Sequence, residues 1–351
     1  MRILCETDVE RLIEPAAAIA AMRDAYRRHA MGAVPAPGRL DLGRNTPKGS
    51  VLLLAGHGDG ASFAMKANMH VYPDPESRQR LAASMMLLWD AVRCMPVAMI
   101  ATTLFNNHRT AAGLAAAADA LAPARVRKLA LFGAGKIAPA AIRYLCAVRR
   151  FEAIDIVGKG SERAASLAAS IRQMPQFSGL DIRASTDSEA AAASADVIVT
   201  LTTSDTPVFP GRAVRDVVLV ILAGANRPSA READDDLIRR ATVFVDHRES
   251  CVQRAGDLCI PLQSGALTSD RIAGEIGALF QAGAASPNVG AVTVFKSMGV
   301  IGQDIALAEL VVARARDSGI GIEFDPVTGS CEILQAVQAS GAADARMAGA
   351  K

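Results

Sequence analysis

Aromatic residues are scarce in this chain of 351 residues: Phe, Trp and Tyr together make up 4%, with a single tryptophan. The sequence also lacks a stretch of about 20 consecutive apolar residues, which a membrane-spanning helix requires. Neither sign of charge dominates, because 38 Lys and Arg face 36 Asp and Glu, giving a net charge of +2. No clustered basic segment stands out, so we expect neither a membrane nor a nucleic acid as a partner.

Paired cysteines and metal-binding spacings are missing too. The six cysteines are scattered without a CxxC pair, which is typical of a protein kept under reducing conditions. Four histidines, His57, His70, His108 and His247, do not form a ligand pattern, so the sequence predicts no metal site. The segment 1–10 carries charges where a signal peptide has an apolar run, and we therefore expect a cytoplasmic protein.

The chain is rich in small and branched apolar residues, and the apolar fraction is 51%. Its first third predicts an amphipathic helix over 14–30, then strand-like runs within 50–102 that are separated by tight turns. From about residue 110 an alanine-rich helix (110–122) is followed by strands that alternate with helices. The predicted strands are 128–132, 153–157, 197–201, 217–222 and 242–246. This alternation predicts an α/β fold with a Rossmann-type doubly wound parallel sheet.

A glycine-rich turn joins the strand 128–132 to a predicted helix over 139–148. Gly133 permits the tight turn, Gly135 lets the backbone approach a pyrophosphate, and Ala138 allows the helix to pack close to the strand. The N-terminus of the helix then faces the phosphates. The residues expected to bind a dinucleotide here are Gly133, Ala134, Gly135, Lys136, Ile137 and Ala138.

The choice of cofactor depends on the end of the second Rossmann strand, where NAD enzymes often place a carboxylate for the ribose 2′-hydroxyl. This position is about Gly158, and it has none. The residues that follow could bind a 2′-phosphate instead: Lys159, Ser161 and Arg163. We therefore expect a preference for NADPH, with NADH as the alternative. Further nucleotide contacts are predicted from Thr202, Thr203 and Ser204 after a strand, and from Thr110 at a predicted helix start.

The two patterns predict an inserted domain. Residues 1–110 with about 301–340 are expected to form an N-terminal α+β domain, and 111–300 the dinucleotide domain. The last residues, 341–351, are expected to be a flexible tail. The cleft between the domains is the default place for an active site.

Several segments, in this order, resemble the ornithine cyclodeaminase/mu-crystallin family. They are Phe63-Ala-Met-Lys66, Arg109-Thr-Ala-Ala112, the glycine turn at 133–138, the segment 224–232, Val245-Asp246, Gly256-Asp257-Leu258 and Thr293-Val-Phe-Lys-Ser-Met-Gly299. The likeness covers roughly residues 35 to 320. It implies binding of NAD(H) or NADP(H), action on α-amino or α-imino acids, and a homodimer joined through the sheets of the N-terminal substrate and dimerisation domains.

The resemblance also implies roles for individual residues. Arg39 and Arg109 match the arginines that bind the substrate carboxylate, for which a guanidinium offers two parallel hydrogen bonds. Lys66 matches the catalytic lysine, a general acid/base for the substrate nitrogen. The alternative is that Lys66 faces solvent, because side chains alternate along a strand. A stretch near the nicotinamide, expected to position the cofactor without doing chemistry, is Phe295, Lys296 and Ser297.

Asn226 departs from the family pattern, because cyclodeaminases usually carry an aspartate there. Asparagine cannot take up a proton under ordinary conditions, whereas reduction of a C=N bond needs only one hydride and one proton. We therefore expect NAD(P)H-dependent reduction of an α-imino acid, such as Δ1-pyrroline-2-carboxylate or Δ1-piperideine-2-carboxylate, to the L-amino acid. The expected catalytic residues are Lys66 and Asn226. The alternatives are ornithine cyclodeamination, reduction of an acyclic imine such as iminosuccinate, and non-catalytic binding.

Overall fold

The computed structural model describes residues 1–34, 40–45, 48–58, 60, 62–74, 81–282 and 291–334, and its strands form two sheets. The strands are β1 (Arg2–Leu4), β2 (Leu40–Asn45), β3 (Lys48–His57), β4 (Ser62–Val71), β5 (Leu81–Asp90), β6 (Met95–Ala101), β7 (Lys128–Phe132), β8 (Ala153–Val157), β9 (Asp181–Ser185), β10 (Val197–Thr200), β11 (Val218–Leu222), β12 (Thr242–Val245), β13 (Ile272–Glu275), β14 (Val292–Lys296), β15 (Gly321–Phe324) and β16 (Cys331–Leu334). The helices are α1 (Glu6–Leu12), α2 (Pro15–Ala30), α3 (Thr103–Leu121), α4 (Ala138–Val148), α5 (Ser161–Arg172), α6 (Ser188–Ser194), α7 (Asp235–Arg240), α8 (Arg248–Arg254), α9 (Gly256–Ser264) and α10 (Ile301–Asp317).

The first sheet combines strands from both ends of the chain, in the order β16-β15-β1-β6-β5-β4-β3-β2. It is antiparallel apart from the β1–β6 pair. Because side chains alternate along a strand, β4 buries Ala64 and Lys66 on one face and exposes Met65 and Met69 on the other. Helices α3 and α10 contact strands of this sheet. Lys66 therefore points into the molecule, and the solvent-facing alternative is wrong.

The second sheet is parallel, in the order β13-β12-β14-β11-β10-β7-β8-β9. Its central strands are continuous apolar runs that are buried throughout, such as β11, as expected when helices cover both faces. The predicted doubly wound parallel sheet is confirmed. The strand order reverses between β7 and β10, which is where open sheets of this kind bind ligands.

Helix α3 begins at Thr103, seven residues before the predicted start at Thr110. No glycine or proline separates Thr103 from Thr110, so the helix runs on without interruption. Thr110 therefore lies in the interior of α3, and its predicted place at a helix start is wrong. The helix is buried along most of its length and contacts β5, β11 and α4. Its small alanine side chains let elements of both sheets approach it closely.

The described helices include none that is both long and apolar enough to cross a membrane.

Candidate active site

A cavity of about 790 Å³ lies at the carboxyl edge of the second sheet, where the strand order reverses. Loops that follow β7, β8 and β10 line it, because the carboxyl ends of parallel strands meet at one edge. The predicted residues among its lining are Gly133, Ala134, Gly135, Lys159, Arg163, Thr202, Thr203 and Ser204. Further lining residues, which were not predicted from the sequence, are Glu162, Thr186, Ser188, Thr206, Pro207 and Val208.

The glycine turn of this cavity combines a backbone conformation that favours glycine with open space beside the backbone. Gly133 has φ +105°, and a Cβ atom there would lie 2.8 Å from the carbonyl oxygen of Leu201. A Cβ at Gly135 would meet nothing within 4 Å, so open space lies beside this backbone. Helix α4 starts three residues later, at the buried Ala138. Three predicted residues are not among those that line the cavity: Lys136 and Ile137 lie in the turn before α4, and Ala138 is its first residue.

The residues predicted to bind a 2′-phosphate lie at or beside the cavity. Lys159 and Arg163 line the cavity, whereas Ser161 does not, although it is the first residue of α5. Glu162, between them in the sequence, lines the cavity as well and brings one carboxylate beside two cations. A carboxylate in this region is the group that NAD enzymes use for the 2′-hydroxyl.

Glu232 holds the strand ends beneath the cavity. It is fully buried, and its Oε1 accepts from the backbone N and Oγ1 of Thr202, both at 2.7 Å. Its Oε2 accepts from Thr200 Oγ1 at 2.8 Å and from the backbone N of Gly224 at 2.7 Å. One carboxylate thus fixes the loops after β10 and β11 relative to each other.

A second group of side chains joins the first sheet to α3 and α10. Lys66 is 3% exposed, and its Nζ donates to Asp304 Oδ1 at 2.6 Å and to Asn106 Oδ1. Asp304 Oδ1 also lies 3.4 Å from Nε of Arg109. Asp304 was not predicted from the sequence; it is an acidic residue on the buried face of α10. Lys66, Arg109 and Asp304 carry a formal charge of +1 together, which favours an anionic ligand.

Arg109 lies against the segment that follows β14, since a Cβ at Gly299 would come within 2.6 Å of its Nη1. Asp246, which follows β12, fixes this segment: its Oδ2 accepts from the backbone N of Met298 at 2.7 Å and of Gly299 at 2.6 Å. β14 pairs with β11, and β11 with β10. The group around Lys66 therefore meets the same sheet edge as the cavity.

The stretch predicted to lie near the nicotinamide is packed beneath this edge. Lys296 is completely buried, and its Nζ donates to Asp257 Oδ2 at 2.8 Å and to the carbonyl oxygen of Ala225 at 2.5 Å. Burial lowers the pKa of Lys296 and is the largest single cause, but the charge and hydrogen bond of Asp257, with the nearby Glu232 and Cys251, together outweigh it. The pKa therefore lies above its ordinary value. Phe295 is also buried, and Ser297 donates to Asp246 Oδ2 at 3.0 Å.

The side chains of Phe295 and Lys296 are enclosed by protein and support the loops at this edge, and their role in positioning a cofactor stays a prediction. Asn226 is exposed and follows the Ala225 carbonyl that Lys296 holds. Thr110 is not among the residues that line the cavity. Arg39 lies outside the described residues, as does the tail 341–351.

The model of the ornithine cyclodeaminase/mu-crystallin family matches residues 1–319. The chain belongs to this family. Among its relatives, Delta(1)-pyrroline-2-carboxylate reductase of Colwellia psychrerythraea is 29% identical over 253 residues, 70% of this chain and 78% of that protein. Ketimine reductase mu-crystallin of Mus musculus is 30% identical over 226 residues, 64% of this chain and 67% of that protein.

A solved structure shares the fold of this chain. It is Delta(1)-pyrroline-2-carboxylate reductase of Thermococcus litoralis in complex with NADH and L-proline, with a TM-score of 0.84 and 24% identity. The match covers 92% of this chain and 99% of that one. At this level of identity the likeness is one of fold, and both sheets are included in it.

Proposed function

We propose that this protein reduces the C=N bond of an α-imino acid with NAD(P)H and so forms the L-amino acid. The observation that carries the proposal is the buried lysine of the first sheet, whose ammonium is held by Asp304 beside Arg109. An ammonium enclosed in this way can donate a proton to a substrate nitrogen. The names of the relatives, a pyrroline-2-carboxylate reductase and a ketimine reductase, support the same reaction.

In this proposal each side chain has one task. Arg109, together with Arg39, binds the substrate carboxylate through paired hydrogen bonds. Lys66 Nζ gives a proton to the substrate nitrogen, and Asp304 favours the charged form of Lys66 before the transfer. When bound, the dinucleotide supplies the hydride for the α-carbon. One hydride and one proton convert C=N to CH–NH, so no further proton acceptor is needed at Asn226.

The cofactor proposed is NADPH, with NADH as the alternative. Two cations in the cavity, Lys159 and Arg163, support a 2′-phosphate, and one carboxylate, Glu162, opposes it. The positive balance of these three side chains favours the phosphate. The glycine turn and the start of α4 fit the pyrophosphate of either cofactor.

Asn226 separates this proposal from ornithine cyclodeamination, because it offers no carboxylate for proton transfer. The test is turnover by the purified full-length chain with Δ1-pyrroline-2-carboxylate, Δ1-piperideine-2-carboxylate or iminosuccinate, each with NADPH and with NADH. A parallel reaction contains ornithine without reductant, and ammonia is measured. Oxidation of NADPH by a cyclic ketimine supports the proposal. Ammonia release from ornithine without ketimine reduction would show cyclodeamination instead. The absence of turnover in every reaction would leave a binding role instead.

We also propose a homodimer that buries the outer face of the first sheet. Paired strands place exposed apolar residues side by side on this face, and three of them are Met65 (47% exposed), Met69 (46%) and Met85 (48%). Leu40, Leu42 and Leu81 are exposed in the same sheet. A contiguous apolar surface of this kind marks an interaction site in soluble proteins.

The two sheets further support a division into the two proposed domains, 1–110 with about 301–340 and 111–300. Helix α3 extends across residue 110 and would be shared between them. A cytoplasmic location stays a prediction that rests on the scattered cysteines, all six of which are free thiols.

A further inference from the structure

Two histidines and a glutamate from three separate elements meet at the contact between α2 and the second sheet. His29 lies in the last turn of α2, His247 follows β12, and Glu275 ends β13. One ligand atom from each lies within 4.8 Å of the other two. His29 Nε2 is 3.8 Å from Glu275 Oε2, and the two imidazole rings are 4.8 Å apart between centroids. The prediction of no metal site rested on the other four histidines and left out His29.

Each of the three side chains is oriented by a second partner. His29 Nδ1 lies 2.9 Å from the carbonyl oxygen of Val34, which can only accept, so Nδ1 carries the proton and Nε2 the lone pair. His247 Nδ1 pairs with Ser250 Oγ at 2.7 Å. Glu275 Oε1 accepts from the backbone N of Arg248 at 2.8 Å, which leaves Oε2 towards His29. Hydrogen bonds of this kind fix the ligands in metal sites.

The backbones that carry these side chains are held close together. A Cβ atom at Gly277 would overlap the carbonyl oxygen of Tyr26, so the turn after Glu275 packs directly on α2 one turn before His29. The Tyr26 ring stacks on Phe280 of the same turn, with centroids 6.2 Å apart. The C-terminal end of α2 also presents the negative end of its dipole to a cation. The three ligands are thus held near one another by packing that does not involve an ion.

We propose that His29 Nε2, His247 Nε2 and Glu275 Oε2 bind one divalent transition-metal ion of the zinc type, with water in the fourth position. Two imidazoles and one carboxylate are a ligand set that zinc accepts. Tetrahedral coordination at metal–ligand distances near 2.0–2.1 Å needs ligand atoms about 3.3 Å apart. Without an ion these atoms lie within 4.8 Å of one another, so binding would draw the three side chains closer together.

The ion would link α2 to the ends of β12 and β13 and so stabilise the contact between α2 and the second sheet. His247 also adjoins Asp246, which accepts from the backbone N of His247 at 2.8 Å and holds the segment against Arg109. When the free ion concentration is about one hundred times the dissociation constant, the Tm is expected to rise by about 3–4 °C for a chain of this length.

Titration of the purified full-length chain with Co²⁺ tests the proposal. We expect one equivalent to bind with visible bands of a site made of nitrogen and oxygen ligands, and competition by Zn²⁺. The variants His247→Gln and Glu275→Gln should no longer bind one equivalent of Co²⁺ and should show no rise in Tm on its addition. The matched controls are Glu249→Gln, an exposed glutamate on the neighbouring helix, and His57→Gln, an exposed histidine of the first sheet. Both should bind one equivalent of Co²⁺ and show the rise in Tm.

Two results would overturn the site. One is binding of the same affinity in Glu275→Gln as in the wild type. The other is strong charge-transfer absorption of a cobalt thiolate, which would assign the ion to a cysteine. Melting curves without metal show whether each variant is folded, and the wild-type spectrum identifies the ligand type even where a variant is not.

Discussion

A single buried lysine determines the chemistry proposed for this chain. Lys66 lies on the inward face of β4, with Asp304 at 2.6 Å from its Nζ and the Phe105 ring centroid at 6.0 Å. Burial of a cation is costly unless a counter-charge accompanies it. Asp304 provides this charge from a helix 238 positions away in the sequence. The pair therefore keeps a protonated amine in a place from which water is largely excluded.

Replacement of Lys66 by alanine should reduce ketimine reduction by about 100- to 10,000-fold, the usual contribution of a general acid. The affinity for NADPH should stay unchanged, because Lys66 is not part of the nucleotide cavity. Steady-state kinetics and a fluorescence titration of NADPH measure the two quantities. Lys48→Ala, an exposed lysine of β3, is the control. Full activity in Lys66→Ala would exclude the role of proton donor.

Asp304→Asn should lower kcat/KM through Lys66 and Arg109, whose shared carboxylate it neutralises. Loss of this charge disfavours the ammonium form of Lys66, so the alkaline limb of the pH–rate profile should move to lower pH. The free energy of unfolding should fall by about 3–5 kcal/mol, as when one partner of a buried ion pair is removed. Asp317→Asn, at the exposed end of the same helix, should leave kcat/KM, the pH–rate profile and the free energy of unfolding unchanged. A variant that loses stability but keeps the wild-type pH profile would leave Asp304 with a structural role alone.

At the scale of elements, the strands of the second sheet differ in how well the sequence reveals them. The interior strands β7, β8, β10 and β11 are apolar runs and were predicted within one residue at each end. The edge strands β9 and β13 were missed because they mix polar and small residues with few buried positions. β14 was noticed only as a family segment, although its five residues are all buried. Edge strands are specified by their neighbours more than by their own composition.

The loop after β8 should decide between the two cofactors. The double variant Lys159→Ala/Arg163→Ala should raise the Kd of NADPH by about 10- to 100-fold, as expected for lost hydrogen bonds to a charged phosphate. The Kd of NADH should change by about twofold at most. Arg183→Ala, an exposed arginine on β9, is the control. An equal loss of affinity for both cofactors would contradict the proposed 2′-phosphate site.

The loop after β11 depends on Lys296, which bonds both Asp257 and the Ala225 carbonyl. Lys296→Met should lower the free energy of unfolding by about 3–5 kcal/mol, because Asp257 then stays buried without its cation. The control Arg239→Met removes an exposed pair with Asp236 and should cost about 0–1 kcal/mol. Urea denaturation measures both, and equal losses would contradict the difference in burial.

The same lysine gives this contribution a pH dependence. Its pKa in the folded chain is raised above the unfolded value of 10.5. The stabilisation is therefore fully present below pH 10.5 and is lost as the pH rises through the folded pKa.

For the whole molecule, the outer face of the first sheet should determine the oligomeric state. Met65→Asp combined with Met69→Asp places charges in the proposed interface, so the mass in solution should fall from twice 36.6 kDa to 36.6 kDa. Light scattering after gel filtration measures this mass. Val327→Asp, on an exposed turn between β15 and β16, should leave it unchanged. A wild-type chain that is already monomeric would contradict the dimer.

Across the whole molecule, the sequence predicted features that are local and missed those that depend on distant packing. The glycine turn and the loops after β8 and β10 could be located because strand, turn and helix follow one another in the chain. Asp304, Glu232 and the trio His29, His247 and Glu275 act across long separations. Their roles become visible only when the sheets are assembled. The start of α3 was misplaced because no helix-breaking residue marks it.

The most direct test of the account is the stoichiometry of turnover with Δ1-pyrroline-2-carboxylate. NADPH consumption and L-proline formation are measured in the same reaction with the purified full-length chain. The account predicts one NADPH oxidised for each L-proline formed, without release of ammonia. L-Proline formed from ornithine with ammonia release and no net consumption of reductant, together with no ketimine reduction, would contradict it.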